Sequence, residues 1–168
     1  MVNYNIVTEK MIAHQNNKLY EVLNKAMVDT VIVGKRKFVP DVKGFYEVLS
    51  EGPMPLFFQY TGKIAQPGKP AGYGGTSQLS NTKSFIPQDM GSGVFNVRLP
   101  EDVIVNTEYF YWISINNEKF RFQNERQFLK IFSGKEPEIK KFIKENKVKF
   151  ENTEDVIKLA GFCSKLTK

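Results

Sequence analysis

"EYFYWISINNEKFRFQNERQFLKIF", residues 108–132, changes its period halfway along. From Tyr109 to Ile115 large apolar side chains follow one another. If this run is a strand, Tyr109, Tyr111 and Ile113 fall on one face, with Phe110 and Trp112 on the other. Asn116-Asn117 then stands where a two-residue hairpin turn needs positive φ, which asparagine tolerates. Lys119 to Phe122 alternates again as the return strand. Beyond it the apolar residues are spaced for a helix: Phe128, Leu129, Ile131 and Phe132 make one side. Asn124 is placed to cap that helix, and Gln127 to reach back in capping-box fashion. A β-hairpin therefore runs directly into a helix, and the chain divides here into a strand-rich part and a helical part.

Outward towards the N-terminus, short stretches rich in Val, Ile, Phe and Tyr are punctuated by Gly, Pro and Asn, which is how successive strands and turns read. The predicted strands are Val2 to Val7, Lys10 to His14, Thr30 to Val33, Lys37 to Val39, Phe45 to Leu49, Leu56 to Tyr60, Val94 to Leu99, Tyr109 to Ile115 and Lys119 to Phe122. In "TVIVGKRKFVP" Gly34 supplies a hairpin turn, and Pro40 ends the second strand because it cannot donate to a ladder. Residues 19–27 read equally as a strand or a short helix.

Towards the C-terminus, Gly134 stops the first helix. Pro137 opens a second, "PEIKKFIKEN", with Ile139, Phe142 and Ile143 on its apolar face. A third begins after Asn152 or Thr153. Glu154 and Asp155 lie against its positive dipole end, and Val156, Leu159, Ala160, Cys163 and Leu166 form its stripe. The reading is an α+β protein: an antiparallel β-rich region, residues 1–123, forming a sheet or roll, with a C-terminal unit of three short helices, residues 124–168, packed on it.

Length and composition suit that reading. The 168 residues, 41% hydrophobic, are enough to bury a sizeable core, with fourteen Phe and seven Tyr to fill it. The longest apolar runs fall far short of the roughly 20 residues that cross a bilayer. "MVNYNIVTEKM" lacks the basic start, apolar core and cleavage site of a signal peptide, and "VNYNIV" reads as a strand already under way, so Met1 is expected to be an expression start. The single Cys163 excludes an internal disulfide scaffold. Residues 1–118 hold 11 basic and 11 acidic side chains, and residues 119–168 hold 13 and 7, so the net charge of +6 belongs to the last fifty residues.

In "GKPAGYGGTSQLSNTKS", residues 68–84, four glycines invite comparison with a phosphate loop. The spacing fails both the Walker pattern and the dinucleotide fingerprint, and Lys69 precedes the glycines instead of following them. The segment is expected to be a long, mobile hairpin loop able to meet a partner through Tyr73. His14 is the sole histidine, and no metal-ligand spacing surrounds it or any cluster of acids, so neither a cofactor nor a metal is expected. Cys163, on a helical stripe, reads as a small buried hydrophobe. The adjacent pairs Glu101-Asp102 and Glu154-Asp155 are poorly placed for acid–base work, the second having a simpler role at a helix start.

Among the aromatics, Tyr109, Tyr111 and Trp112 are the candidate ligand contacts besides Tyr73, with core packing the competing role. Lys140, Lys141, Lys144 and Lys147 are candidate anion contacts, but Glu136, Glu138 and Glu145 interrupt the run, which favours a solvated helix face. A nucleic-acid-binding module acting through these lysines is the first alternative function. A hydrolase built on His14 or a carboxylate pair is the second.

The phrases "VNYNIVTEKM", "DTVIVGKRKFVP", "FYEVLSEGPMPLFFQYTGKI", "KPAGYGGTSQ" and "EIKKFIKENKVKFENTEDVIKLAGFC", in that order, resemble a family of extracytoplasmic proteins of Bacteroidetes bacteria without assigned activity. The resemblance covers nearly the whole chain and contains no catalytic motif, so no residue role is carried over. It implies an exported protein, periplasmic, surface-bound or secreted, made with a signal peptide and further residues ahead of the "NYN" strand. The function expected from it is that of a non-enzymatic cell-envelope or secreted protein binding another protein or a glycan, with nucleic acid disfavoured as a partner.

Overall fold

The computed structural model describes residues 2–16, 18–21, 25–65, 69–70, 76–77 and 104–166. In chain order these form β1 (Val2–Asn5), β2 (Lys10–Gln15), β3 (Lys18–Glu21), a 3-10 turn at Lys25–Met27, β4 (Val31–Val33), β5 (Arg36–Pro40), β6 (Phe45–Ser50) and β7 (Leu56–Ala65). They continue with β8 (Lys69–Pro70), β9 (Thr76–Ser77), β10 (Ile104–Ile115), β11 (Glu118–Phe122), α1 (Glu125–Ile131), α2 (Glu136–Asn146) and α3 (Thr153–Leu166). The protein is α+β and rich in antiparallel sheet, with its three helices at the C-terminal end. The 19–27 ambiguity resolves into both options in turn, a strand to Glu21 and then a 3-10 turn. The predicted strand Val94 to Leu99 lies outside the described residues, as do Tyr73, Glu101 and Asp102.

Two compact units cut across the compositional halves. One comprises residues 1–25 and 61–108, the other residues 26–60 and 109–168. The helices thus share a unit with the strands from β4 to Tyr60 and from Tyr109 to Phe122. Strand pairing joins segments far apart in sequence, which a division by composition does not register.

In the first unit, β1, β2 and β3 form an antiparallel meander, with Tyr4 opposite Met11 and His14 opposite Leu19. Met11 is fully enclosed and His14 is exposed. Lys10 reaches Glu21 at 2.8 Å. Gly62 passes so close to the turn after β1 that its N–H donates to the Ile6 carbonyl at 2.7 Å. A Cβ there would meet Ile6, Val105 and Val7 at 3.1–3.2 Å, so the close approach calls for glycine. Both β7 and β10 run beyond their predicted apolar cores, to Ala65 and back to Ile104. A ladder needs backbone groups and not apolar side chains, and polar ends can be tied across strands, as by Lys63 and Glu108 at 2.8 Å. Within the Gly-rich segment, Lys69–Pro70 pairs antiparallel with Thr76–Ser77, so a short hairpin forms at these described residues.

The second unit holds strands in the order β11-β10-β7-β6-β5-β4. Both predicted turns form: Gly34 has φ 62°, and Asn116 and Asn117 have φ 50° and 67°, the left-handed values a tight hairpin requires. Register puts Phe38, Glu47 and Phe58 on one face and Val39, Tyr46, Val48 and Phe57 on the other. The three helices cover part of the first face. Their core joins Leu56, Phe58, Tyr111, Ile113 and Phe122 from the sheet to Phe128, Leu129, Phe132, Ile139, Ile143, Val156, Leu159, Ala160 and Cys163.

Local signals start and stop these helices. Asn124 Oδ1 accepts from the Gln127 N–H at 3.0 Å. The Gln127 side chain reaches one residue further back than a capping box requires, accepting from the Gln123 N–H at 2.7 Å. Helix α1 ends at Ile131, and Gly134, with φ 84°, follows as the chain reverses into α2, where Pro137 occupies the first turn. The stripe read on α3 is enclosed at Val156, Leu159, Ala160 and Cys163 and half-buried at Leu166.

Candidate functional site

Because β10 is apolar on both faces, the placement of its aromatics decides what the unit can offer a ligand. Tyr111 is fully enclosed: its ring stacks on Phe122 at 5.3 Å, and its hydroxyl donates to the Phe150 carbonyl at 3.0 Å. Burial pushes the phenol up to about 12. Tyr109 is half-buried on the same face, stacked on Phe58 at 5.3 Å. Both belong to the packing between sheet and helices, and Tyr111 offers nothing to an outside ligand.

Trp112 lies on the opposite face. Its ring stacks on Tyr46 at 5.4 Å, and its Nε1–H donates to Gln59 Oε1 at 2.8 Å, which holds the indole in place. Arg121, directly across from Trp112 on β11, spreads its guanidinium over Phe110 at 4.7 Å and over Trp112 at 6.0 Å. Lys119 stands over Phe57 at 5.1 Å and Tyr46 at 5.7 Å, and is ion-paired with Asp41. The result is a row of rings, Tyr46, Phe57, Trp112 and Phe110, under two exposed cations. Tyr109, Tyr111 and Trp112 therefore do not converge on one site. Sequence reading missed Lys119 and Arg121; the signal was present as "KFRF", where alternation puts both cations on one face beside the Trp112 side of β10.

A groove of about 380 Å³ opens beside this row, lined by Phe110, Phe120, Arg121, Gln127, Lys130 and Ile131. Its walls are aromatic and its charges, Arg121 and Lys130, are positive, which suits an anionic group attached to an apolar one.

Elsewhere on the sheet Arg36, Glu47 and Tyr60 form a cluster. Arg36 holds Glu47 through two nitrogens, at 2.8 and 2.5 Å, and also donates to the Tyr60 hydroxyl, which in turn donates to Glu47 at 2.9 Å. The hydrogen bond to Glu47 raises Arg36, while desolvation first and Glu47 second push Tyr60 up to about 12. Every group in this cluster is tied to another by a hydrogen bond.

The lysines on α2, Lys140, Lys141, Lys144 and Lys147, are all exposed. Lys141 lies 3.9 Å from Glu145, and Lys147 is the left-handed C-cap, with φ 50°. They make a solvated, acid-interrupted face and not a converging pocket. Cys163 is enclosed and its thiol pushed up to about 12 by burial, the opposite of an activated nucleophile. Glu154 and Asp155 serve the start of α3, where Asp155 also accepts from the Lys149 N–H at 3.1 Å. Among the described residues no three His, Cys, Asp or Glu side chains group as metal ligands, and no helix is long and apolar enough to cross a membrane.

Comparison with protein-family models, curated proteins and solved structures finds no match to this chain.

Proposed function

We propose that the chain is a non-enzymatic cell-envelope or secreted protein that binds another protein or a glycan. The observation that carries this reading is the row of half-buried Phe57, Trp112 and Phe110, backed by the enclosed Tyr46, beside Lys119 and Arg121 on the sheet face opposite the helices. Ring faces stack on sugars or apolar side chains, and the cations meet carboxylates or sulfates. The acid beside it, Asp41, is paired with Lys119, and the Arg36, Glu47 and Tyr60 cluster on the other face is closed on itself, which favours recognition over turnover. The resemblance of the chain to exported Bacteroidetes proteins supports placing it outside the inner membrane.

Two measurements test the reading. Fractionation of the source bacterium with intact-mass analysis is expected to find the protein outside the inner membrane, with an N-terminus trimmed by export; recovery from the cytoplasm would remove the envelope role. Trp112 is the only tryptophan, so its emission reports on the site. Titration with envelope polysaccharides and purified envelope proteins should shift that emission with at least one of them, and should not do so in Arg121→Ala. A response unaffected by Arg121→Ala would move binding away from this face.

A further inference from the structure

Among the described residues strand β11 is outermost in its sheet, and its register states what the outer side presents. The Asn116-Asn117 turn closes on the Ile115–Glu118 pair, so the pairs Ile115–Glu118, Ile113–Phe120 and Tyr111–Phe122 exchange the ladder hydrogen bonds. Lys119 and Arg121 occupy the alternate positions. Their N–H and C=O groups therefore point away from β10, along the edge of the sheet, and both residues are exposed. The groove lined by Phe120, Arg121, Gln127, Lys130 and Ile131 borders that edge. Outward backbone donors and acceptors, a bordering trough and a cationic rim are the ingredients of strand addition.

We propose that the β11 edge takes an extended acidic segment of another protein as an added strand. This inference rests on the reading of the chain as a binding protein and narrows its partner from protein or glycan to protein. Register sets the partner's pattern. Residues opposite Lys119 and Arg121 share the face of those cations and are acidic, with Arg121 the main anchor because Lys119 is already paired with Asp41, whereas the residue opposite Phe120 shares the face of Phe120, towards α1, and is apolar. The recognised sequence alternates acidic and apolar side chains. A second copy of this chain fits poorly, because β11 paired antiparallel with itself about Phe120 sets Lys119 against Arg121 of the other copy, like charges directly opposed.

The test uses the full chain and three labelled nonapeptides: alternating Glu and Val, the same composition with the glutamates clustered, and alternating Lys and Val. The alternating acidic peptide is expected to bind at least about tenfold more tightly than either control, to slow exchange of the Lys119 and Arg121 amides, and to change Trp112 emission. Arg121→Gln should weaken it about tenfold. Arg121→Pro also removes the outward N–H without breaking a bond to β10, and should abolish binding. The double variant Lys119→Glu, Arg121→Glu should transfer preference to the lysine peptide, a gain of function that a misfolded protein cannot show. Equal affinity for alternating and clustered glutamates, unprotected Lys119 and Arg121 amides at saturation, or no binding at millimolar peptide overturns the inference. Retained polysaccharide binding in that case leaves the broader reading standing, and a cytoplasmic location with intact peptide binding removes only the envelope assignment.

Discussion

Replacing Tyr111 by Phe removes one hydroxyl from a fully enclosed ring of the sheet and little else. The ring stays, with its stack on Phe122 at 5.3 Å and its edge contacts to Phe58 at 4.9 Å and Tyr109 at 6.0 Å. What is lost is the 3.0 Å bond to the Phe150 carbonyl, which ties β10 to the segment just before α3. That carbonyl then remains buried without this donor. The net value of such a bond and the desolvation of an orphaned acceptor together predict a loss of about 1.5 kcal/mol, or roughly tenfold in the folded-to-unfolded ratio. Urea titration followed by Trp112 emission and far-UV circular dichroism should show the midpoint falling with an unchanged slope, since the surface exposed on unfolding is the same. Tyr111→Ala also deletes the ring and leaves a cavity, and should cost about 4 kcal/mol. A Tyr111→Phe protein within about 0.3 kcal/mol of the parent would refute the view that this bond holds the helical segment to the sheet. A loss as large as that of Tyr111→Ala would refute the assignment of the packing energy to the ring.

Alkaline pH should destabilise the protein in a defined window. Cys163 is pushed from 9.0, and Tyr60 and Tyr111 from 10.0, each to about 12, so the folded state holds protons that the unfolded state releases. The contribution of these three groups is constant below about pH 9 and falls as pH rises towards 12, with enclosed Cys163 contributing up to about 1.4 kcal/mol per pH unit. Cys163→Ala should delay the onset to about pH 10, and an unchanged onset in urea midpoints measured across pH would contradict the assignment. Glu47→Gln should cost about 1–2 kcal/mol. It removes the charge facing Arg36 and one of the two oxygens that accept from Arg36 and Tyr60, but Arg36 keeps 47% of its side chain in solvent, which softens the loss; thermal unfolding unchanged from the parent would show the cluster to be energetically idle. Gly62→Ala forces a methyl against Ile6, Val7 and Val105 and should cost about 1 kcal/mol. Amide exchange at residue 62 should speed up severalfold, and slower exchange would mean that the neighbours yield freely.

Much of this architecture was legible in residues close together in the chain. The Asn116-Asn117 turn, the Gly34 turn, the Asn124 cap and the α3 stripe ending in Cys163 and Leu166 each rest on interactions reaching only a few residues along the chain. Backbone sterics and helix periodicity act at that range, so composition and spacing suffice to read them. The fold class followed, because an alternating run passing directly into a helical one leaves few ways to share a core.

Tertiary structure alone decided which apolar face of β10 turns to the helices. Tyr109, Tyr111 and Ile113 on one side and Phe110 and Trp112 on the other are equally hydrophobic by pattern, and the packing of α1, α2 and α3 breaks the tie. It also decided that β10 lies beside β7, that Arg36 and Tyr60 meet at Glu47, and that β11 stands at the edge of the described strands with Lys119 and Arg121 outward. Each of these depends on residues distant in sequence, and each is settled by the collective burial of a whole sheet face, a free energy that no short window of residues contains.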